Sequence, residues 1–85
     1  NTIAMTGEID LNGKIHKIGG LESKLNGAKR AGVRKVYIPK DNEEELNIIL
    51  KKLDDELYFK NLEIIKVEKY IDFVNDLFIE SEVIF

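Results

Sequence analysis

A glycine pair followed by apolar residues at helical spacing is the feature that most constrains this chain. After Gly19-Gly20, four residues recur at the i, i+3, i+4, i+7 spacing that places side chains on one face of a helix. They are Leu21, Lys24, Leu25 and Ala28. Because three of the four are apolar, this spacing predicts a buried helix face that includes a lysine.

Lys24 is the exceptional member of that face. A buried ammonium is costly unless it is paired, and burial usually lowers the pKa of a lysine until it is held as a neutral amine. A neutral amine is a general base. The alternative is that the stem of Lys24 covers apolar surface while its ammonium stays in water. The spacing leaves both interpretations open.

Size and composition limit the other possibilities. The 85 residues, 44% of them hydrophobic, predict one small domain. A net charge of −3 without a run of basic residues makes nucleic acid an unexpected partner. The chain has no cysteine, so a disulfide or thiolate metal site is excluded. Since no apolar run approaches the ~20 residues that span a bilayer and no signal peptide is visible, a soluble intracellular protein is expected, without a membrane partner.

The rest of the sequence alternates strand and helix signals. Residues 2–9 and 14–18 flank an Asn-Gly turn and predict a β-hairpin, which leads into a helix over 21–31 closed by Gly32. Strands are predicted over 33–39 and 62–67. A helix between them is predicted from the capping pair Asp41 and Glu44 and from the spacing of Leu46, Ile49, Leu50, Leu53 and Leu57. Ile71, Val74 and Phe78 mark one face of a last helix, and residues 79–85 receive no assignment.

This order predicts an α/β fold of mixed α+β character. A β-hairpin is followed by α-β-α-β-α, with helices packed on a small mixed sheet, and strands separated by helices are expected to pair in parallel. Asn1 leads directly into strand-like residues with no initiating methionine. We therefore expect residues 1–85 to be a single-domain fragment of a longer polypeptide, the alternative being a processed terminus.

Three motif candidates are weak. Residues 7–14, GEIDLNGK, depart from a phosphate-binding loop in glycine spacing and in the isoleucine that follows the lysine. His16 is the only histidine and is expected on a strand surface rather than at a metal. The acidic runs 43–45 and 54–56 are expected to be solvated, with a carboxylate metal site as the alternative. No metal ligand is assigned.

No serine in the chain is well placed to pair with Lys24. Ser23 is adjacent to it on the helix, so the two side chains project about 100° apart. Ser81, the only other serine, lies in the unassigned tail. If Lys24 activates a hydroxyl nucleophile, that nucleophile is expected outside these residues, and Thr6 is the only plausible hydroxyl within them.

Two short motifs resemble the C-terminal part of the proteolytic domain of Lon, the ATP-dependent serine protease. Residues 4–9 read AMTGEI, and residues 18–21 read IGGL with Lys24-Leu25 behind them. The resemblance continues through Gly32-Val33, Val36, Ile38-Pro39-Lys40 and Asn42. The resemblance is close up to about Asn42. Beyond that residue, it holds only for the order of helices and strands.

The resemblance implies a Ser-Lys dyad. The family's catalytic lysine lies three residues after the leucine of IGGL, which is Lys24 here, and the threonine of MTGE gives Thr6 a supporting role. The family's serine lies in an earlier segment, so these residues alone are expected to be inactive. For the full-length protein the resemblance implies ATP and magnesium, unfolded or damaged proteins as substrates, a homo-hexamer, and the cytoplasm or mitochondrial matrix.

The sequence also departs from the family pattern. Glu22 and Ser23 stand where many relatives carry Lys-Glu, and residues 43–61 are longer and more helical than the usual connection, as an insertion would be. The alternative to a protease is a non-catalytic Lon-like interaction module in which Lys24 makes a surface salt bridge.

Overall fold

A three-stranded parallel sheet organises the structure, a computed structural model that describes residues 3–53 and 59–80. Its strands are β1 (Ile3–Met5), β4 (Lys35–Pro39) and β5 (Glu63–Val67), in the order β1-β4-β5 with both pairings parallel. A separate antiparallel pair is formed by β2 (Glu8–Ile9) and β3 (Ile15–His16). The helices are α1 (Leu21–Arg30), α2 (Glu43–Leu53) and α3 (Tyr70–Glu80), with a 3₁₀ turn, Lys40–Asn42, before α2. The predicted mixed fold, with parallel pairing between strands separated by helices, is confirmed.

Strand β4 supplies side chains to two apolar clusters because successive residues of a strand point to opposite faces. Val36 and Ile38 belong to a cluster that includes residues of α1 and α2. Tyr37 belongs to the other cluster, where its ring meets Phe73 of α3 edge-on at a centroid distance of 4.8 Å. The Tyr37 hydroxyl also donates a hydrogen bond to the Asp76 carboxylate of α3. Helices α1 and α2 therefore cover one face of the sheet and α3 covers the other.

The predicted hairpin is only partly right, because residues 2–9 do not form one strand. The chain turns at Gly7, whose φ of 147° favours glycine. Before the turn, β1 pairs with β4, and the Thr6 amide donates to the Tyr37 carbonyl at 3.0 Å. After the turn, β2 pairs with β3. The alternation of side chains did not reveal that the two halves belong to different sheets.

Helix α1 forms close to the predicted bounds. It begins after Gly20, which has the left-handed conformation (φ 68°), and ends at Arg30. The Gly32 amide donates to the Lys29 carbonyl at 3.1 Å, and the Val33 amide donates to the Ala28 carbonyl at 3.0 Å. These are the two hydrogen bonds of a Schellman motif with glycine at its left-handed position, so the predicted cap is confirmed.

The start of α2 differs from the prediction. Asp41 and Glu44 do not cap it, because the chain first makes the 3₁₀ turn and α2 begins at Glu43. Asp41 instead forms an ion pair with Lys14 at 3.8 Å. The described part of the helix reaches Leu53, and Leu57 lies outside the described residues.

The last helix packs through a different face from the one marked by Ile71, Val74 and Phe78. Ile71 and Phe78 are 55% and 60% exposed, and Phe73 makes the contact with the sheet. Residues 81–85 of the unassigned tail lie outside the described part of the chain. None of the helices in that part combines the length and the apolar character that crossing a membrane requires.

Asp10 organises the β2–β3 turn. Its Oδ1 accepts the amide protons of Asn12 and Lys14 at 2.8 and 3.1 Å, and its Oδ2 lies 2.7 Å from His16 Nε2. The hydrogen bond with His16, followed by those from the two amides, lowers the pKa of the Asp10 carboxyl from its ordinary value of 3.8. His16 thus lies on a strand surface, as predicted, and has a carboxylate partner.

The lowered pKa of Asp10 predicts a pH-dependent contribution to stability. Because the folded pKa lies below the unfolded one, this contribution is fully present above pH 3.8 and is lost as the pH falls through the folded value. We expect the difference in unfolding free energy between the natural chain and the Asp10→Asn variant to be largest near neutral pH and to shrink below pH 4. Urea unfolding between pH 2 and pH 7 measures it. A difference that stays constant over this range would contradict the assignment.

The turn at Gly7 predicts a matched pair of glycine substitutions. A Cβ added at Gly7 would lie 2.6 Å from Ile15 Cγ2 and 3.3 Å from Pro39 Cγ. With the unfavourable φ, Gly7→Ala should lower the unfolding free energy by about 2–4 kcal/mol. Gly27 lies inside α1 with no atom within 4 Å of an added Cβ, so Gly27→Ala should raise it by about 0.5–1 kcal/mol. Chemical unfolding of both variants is the measurement, and similar effects at the two positions would exclude this account of Gly7.

Candidate functional site

The entry into α1 is the centre of the candidate site. Ile18 follows β3, and Gly19-Gly20 connects it to the first helical residue, Leu21. Gly20 has no side chain to cap the helix, and its carbonyl accepts the Lys24 amide at 3.1 Å. Because this hydrogen bond closes the first helical turn, the position of Gly20 sets the position of Lys24.

Of the two interpretations of Lys24, the described residues show the one in which its side chain is exposed. Leu21 and Leu25 are fully buried and Ala28 is half-buried, but the Lys24 side chain is exposed. Successive residues of a helix are about 100° apart, so Lys24 lies roughly 60° from Leu21 around the helix axis. This places Lys24 at the edge of the buried stripe. Within residues 3–53 and 59–80, no acidic side chain lies within ion-pair distance of its ammonium. The apolar stripe is therefore narrower than the sequence spacing suggested.

Asn42 holds the chain just before the glycine pair. Its Oδ1 accepts the Ile18 amide at 3.1 Å, and its Nδ2 donates to the Ile18 carbonyl at 3.0 Å. The same Nδ2 donates to Glu45 Oε1 at 2.9 Å. The Asn42 side chain is fully buried, and leaving one buried backbone group of this kind unpaired costs about 1–3 kcal/mol.

Sequence reasoning did not find this role of Asn42. In the sequence, Asn42 is marked only by the resemblance to the Lon family. An asparagine just before a helix indicates a local cap, and nothing in the linear sequence points to a partner 24 residues away. The one available signal was a polar residue placed between a buried strand and an amphipathic helix.

Thr6 lies at the end of β1, half-buried, with its amide bonded to the Tyr37 carbonyl. Asn42 lies three residues beyond the end of β4, which runs parallel to β1. Thr6, Asn42 and the start of α1 therefore lie toward the carboxyl edge of the sheet, the edge where open α/β sheets place their sites. The structure does not join Thr6 to Lys24, since no hydrogen bond links their side chains in the parts of the chain described.

Ser23 and Lys24 face different surroundings, as their adjacency predicts. Ser23 lines an open depression of about 530 Å³ between α1 and the start of α2, and Lys24 is not part of its lining. The other lining residues are Gly20, Glu22, Asn26, Arg30 and Glu45. Ser81 lies outside the described residues. The described chain thus contains no serine positioned against Lys24.

Two acidic residues at the start of α2, Glu43 and Glu45, interact with different partners. Glu43 forms a 2.6 Å ion pair with Lys66, and this hydrogen bond, with the charge of Lys66, lowers the pKa of the Glu43 carboxyl. Glu45 accepts the bond from Asn42. Across residues 3–53 and 59–80, no three histidine, cysteine or acidic side chains converge on a point that could hold a metal ion. The acidic run 54–56 lies outside this part of the chain.

The glycine-rich residues 7–14 do not fit a nucleotide phosphate. They form β2 and the turn into β3, so no helix begins behind them as a phosphate-binding loop requires. Residues 7–14 therefore do not form a phosphate-binding loop of this type.

Comparisons with known proteins place the chain in a family. The family model of the Lon protease (S16) C-terminal proteolytic domain matches residues 1–79, well past the segment after Asn42 that was expected to diverge. A Lon protease homolog of Acanthamoeba polyphaga mimivirus is 51% identical over 74 residues, which cover 87% of this chain and 7% of that protein.

Two bacterial proteins show the same similarity. The Lon protease of Mycoplasma pneumoniae is 45% identical over 76 residues, covering 89% of this chain and 9% of that protein. Lon protease 2 of Bacillus subtilis is 39% identical over 79 residues, covering 93% of this chain and 13% of that protein. The chain thus spans only 7–13% of the length of these three relatives. With a match over 79 of its 85 residues, the chain belongs to the Lon protease (S16) C-terminal proteolytic domain family.

Proposed function

We propose that this chain is part of the proteolytic domain of an ATP-dependent serine protease and that it supplies Lys24 as the general base of a Ser-Lys dyad. One observation carries the proposal. The lysine that follows IGGL lies at the end of the first turn of a helix whose entry is held by a buried side chain, in a chain that belongs to the Lon proteolytic family. Thr6, near the same edge of the sheet, is proposed to support the orientation of the lysine.

The proposed chemistry is acyl transfer. Lys24 as a neutral amine takes the proton of a serine hydroxyl while the serine oxygen attacks the peptide carbonyl. The resulting ammonium returns the proton to the leaving amine as the peptide bond breaks, and water then releases the acyl group from the serine. The serine is proposed to come from a part of the polypeptide outside these 85 residues. That part would also remove Lys24 from water, because an amine must be neutral to accept a proton.

Further properties are proposed only for the full-length protein. Its substrates would be unfolded or damaged proteins, ATP and magnesium would drive their delivery, and the protein would assemble as a homo-hexamer in the cytoplasm or the mitochondrial matrix. Family membership supports these proposals. Residues 7–14 do not form a phosphate-binding loop, and no three acidic or histidine side chains converge in the described part of the chain. The nucleotide would therefore bind elsewhere in the polypeptide.

A second candidate function is a non-catalytic interaction module. The observation that favours it is the exposed Lys24 side chain, which is available for a salt bridge with a partner. The two candidates need different properties of residue 24. A general base must release and accept a proton, whereas a salt bridge needs only a positive charge.

Replacing Lys24 separates these requirements. Arginine keeps the charge but stays protonated throughout the working pH range, so it cannot act as a base. We expect both Lys24→Ala and Lys24→Arg, in the full-length protein, to lower kcat for an unstructured protein substrate by about 10³-fold or more. Peptidase assays with a fluorescent casein measure the loss.

Lys51→Ala is the matched control, because Lys51 is an exposed lysine near the end of α2. It should cleave at the natural rate. Circular dichroism and the assembly state should be the same in all variants. Full activity of Lys24→Arg would exclude the general base, and binding of a partner retained by Lys24→Arg but lost in Lys24→Ala would favour the interaction module.

A further inference from the structure

We propose that Asn42 is a positioning residue for the reaction, fixing the start of α1 and thereby the location of Lys24. This inference rests on the function proposed above, since it concerns the same lysine. Asn42 would touch neither substrate nor the reacting atoms, and it would act through Ile18 and the glycine pair.

The first argument is the form of the contact. The Asn42 amide pairs with both the N–H and the C=O of Ile18, much as a neighbouring strand would. Two hydrogen bonds to one residue fix its direction as well as its distance. The side chain is fully buried, so water does not compete for these bonds.

The second argument is the orientation of the Asn42 amide. The carboxylate of Glu45 can only accept a hydrogen bond, so it requires the Nδ2 side of the amide at 2.9 Å. With Nδ2 placed toward Glu45 and the Ile18 carbonyl, Oδ1 must face the Ile18 N–H. Glu45 therefore selects the one orientation of Asn42 in which all three bonds form.

The third argument is the lack of other support between Ile18 and α1. An added Cβ at Gly19 or Gly20 would meet no atom within 4 Å, and both glycines are exposed. The chain is held at the fully buried Leu21 and at Ile18, whose side chain packs against the core cluster and whose backbone is bonded to Asn42. Without the two bonds to the Ile18 backbone, the glycines have the backbone freedom to change the direction in which the helix begins. The Gly20 carbonyl, which accepts the Lys24 amide, would then move.

The test compares Asn42→Ala with a control of equal stability in the full-length protein. Ile49→Ala is that control, because Ile49 is buried in α2, in the apolar cluster against which Ile18 packs, and its truncation destabilises the core without removing the hydrogen bonds to the Ile18 backbone. We expect Asn42→Ala to lower kcat by about 10–100-fold with KM within threefold of the natural value, because small misplacements of a catalytic group have effects of this size. Ile49→Ala, compared at a temperature equally far below its melting point, should keep kcat within threefold.

The pH profile provides the readout that lost stability would not change. A displaced general base meets a different environment, so the half-maximal point of kcat/KM against pH should shift in Asn42→Ala and stay fixed in Ile49→Ala. Asn42→Ser adds no charge beside Glu45, and its shorter side chain removes the amide that pairs with both backbone groups of Ile18. It serves if Asn42→Ala fails to fold, and its kcat should fall by about tenfold.

The outcomes separate the two proposals. Equal kcat values and equal pH profiles in the Asn42 variants and Ile49→Ala would overturn the positioning role while leaving the dyad intact. If Lys24→Ala remained active in the same assay, the dyad itself would be wrong and the role of Asn42 with it. An inactive Lys24→Ala together with a selective loss of kcat in Asn42→Ala would support both.

Discussion

The burial of β4 is the constraint on which the rest of the structure depends. All five residues of Lys35–Pro39 are buried, and both edges of the strand are paired, with β1 on one side and β5 on the other. A strand in this position must satisfy its backbone polar groups within the sheet, because no water reaches them. Its alternating side chains then determine which helices pack on which face. Val36 and Ile38 face α1 and α2, whereas Tyr37 faces α3.

The same strand determines where the candidate site lies. Beyond Pro39 the chain makes one 3₁₀ turn, and the last residue of that turn, Asn42, reaches back to Ile18. The entry of α1 is thus fixed relative to β4 in two ways, through the buried Leu21 and Leu25 and through the asparagine. Packing sets the distance of the helix from the sheet but allows sliding along it, since apolar contacts are not directional. The hydrogen bonds from Asn42 supply the direction that packing lacks.

Local chemistry explains how much of this the sequence could predict. The span of α1 follows from the spacing of its apolar residues. Its glycine cap follows from a residue suited to positive φ, and the parallel pairing of the strands follows from the alternation of helix and strand. The hairpin was partly wrong because Gly7 changes the partner of the strand without interrupting the pattern of β-branched residues. Whether Lys24 is buried or exposed could not be decided from the sequence, because i, i+3, i+4, i+7 spacing does not specify the width of a buried stripe. The Asn42 contact was missed because it joins residues far apart in sequence.

In the proposed dyad, the position of Lys24 and its removal from water would have separate origins. The described residues account for position, since the Lys24 amide is bonded to Gly20 and the preceding residues are held by Asn42. They leave its side chain exposed, whereas a general base must be a neutral amine that is removed from water. In the proposed dyad, the segment that carries the serine would supply this desolvation when it docks. A lysine that becomes a base only upon assembly of the complete domain would leave an incompletely folded protease inactive, without any dedicated inhibitor.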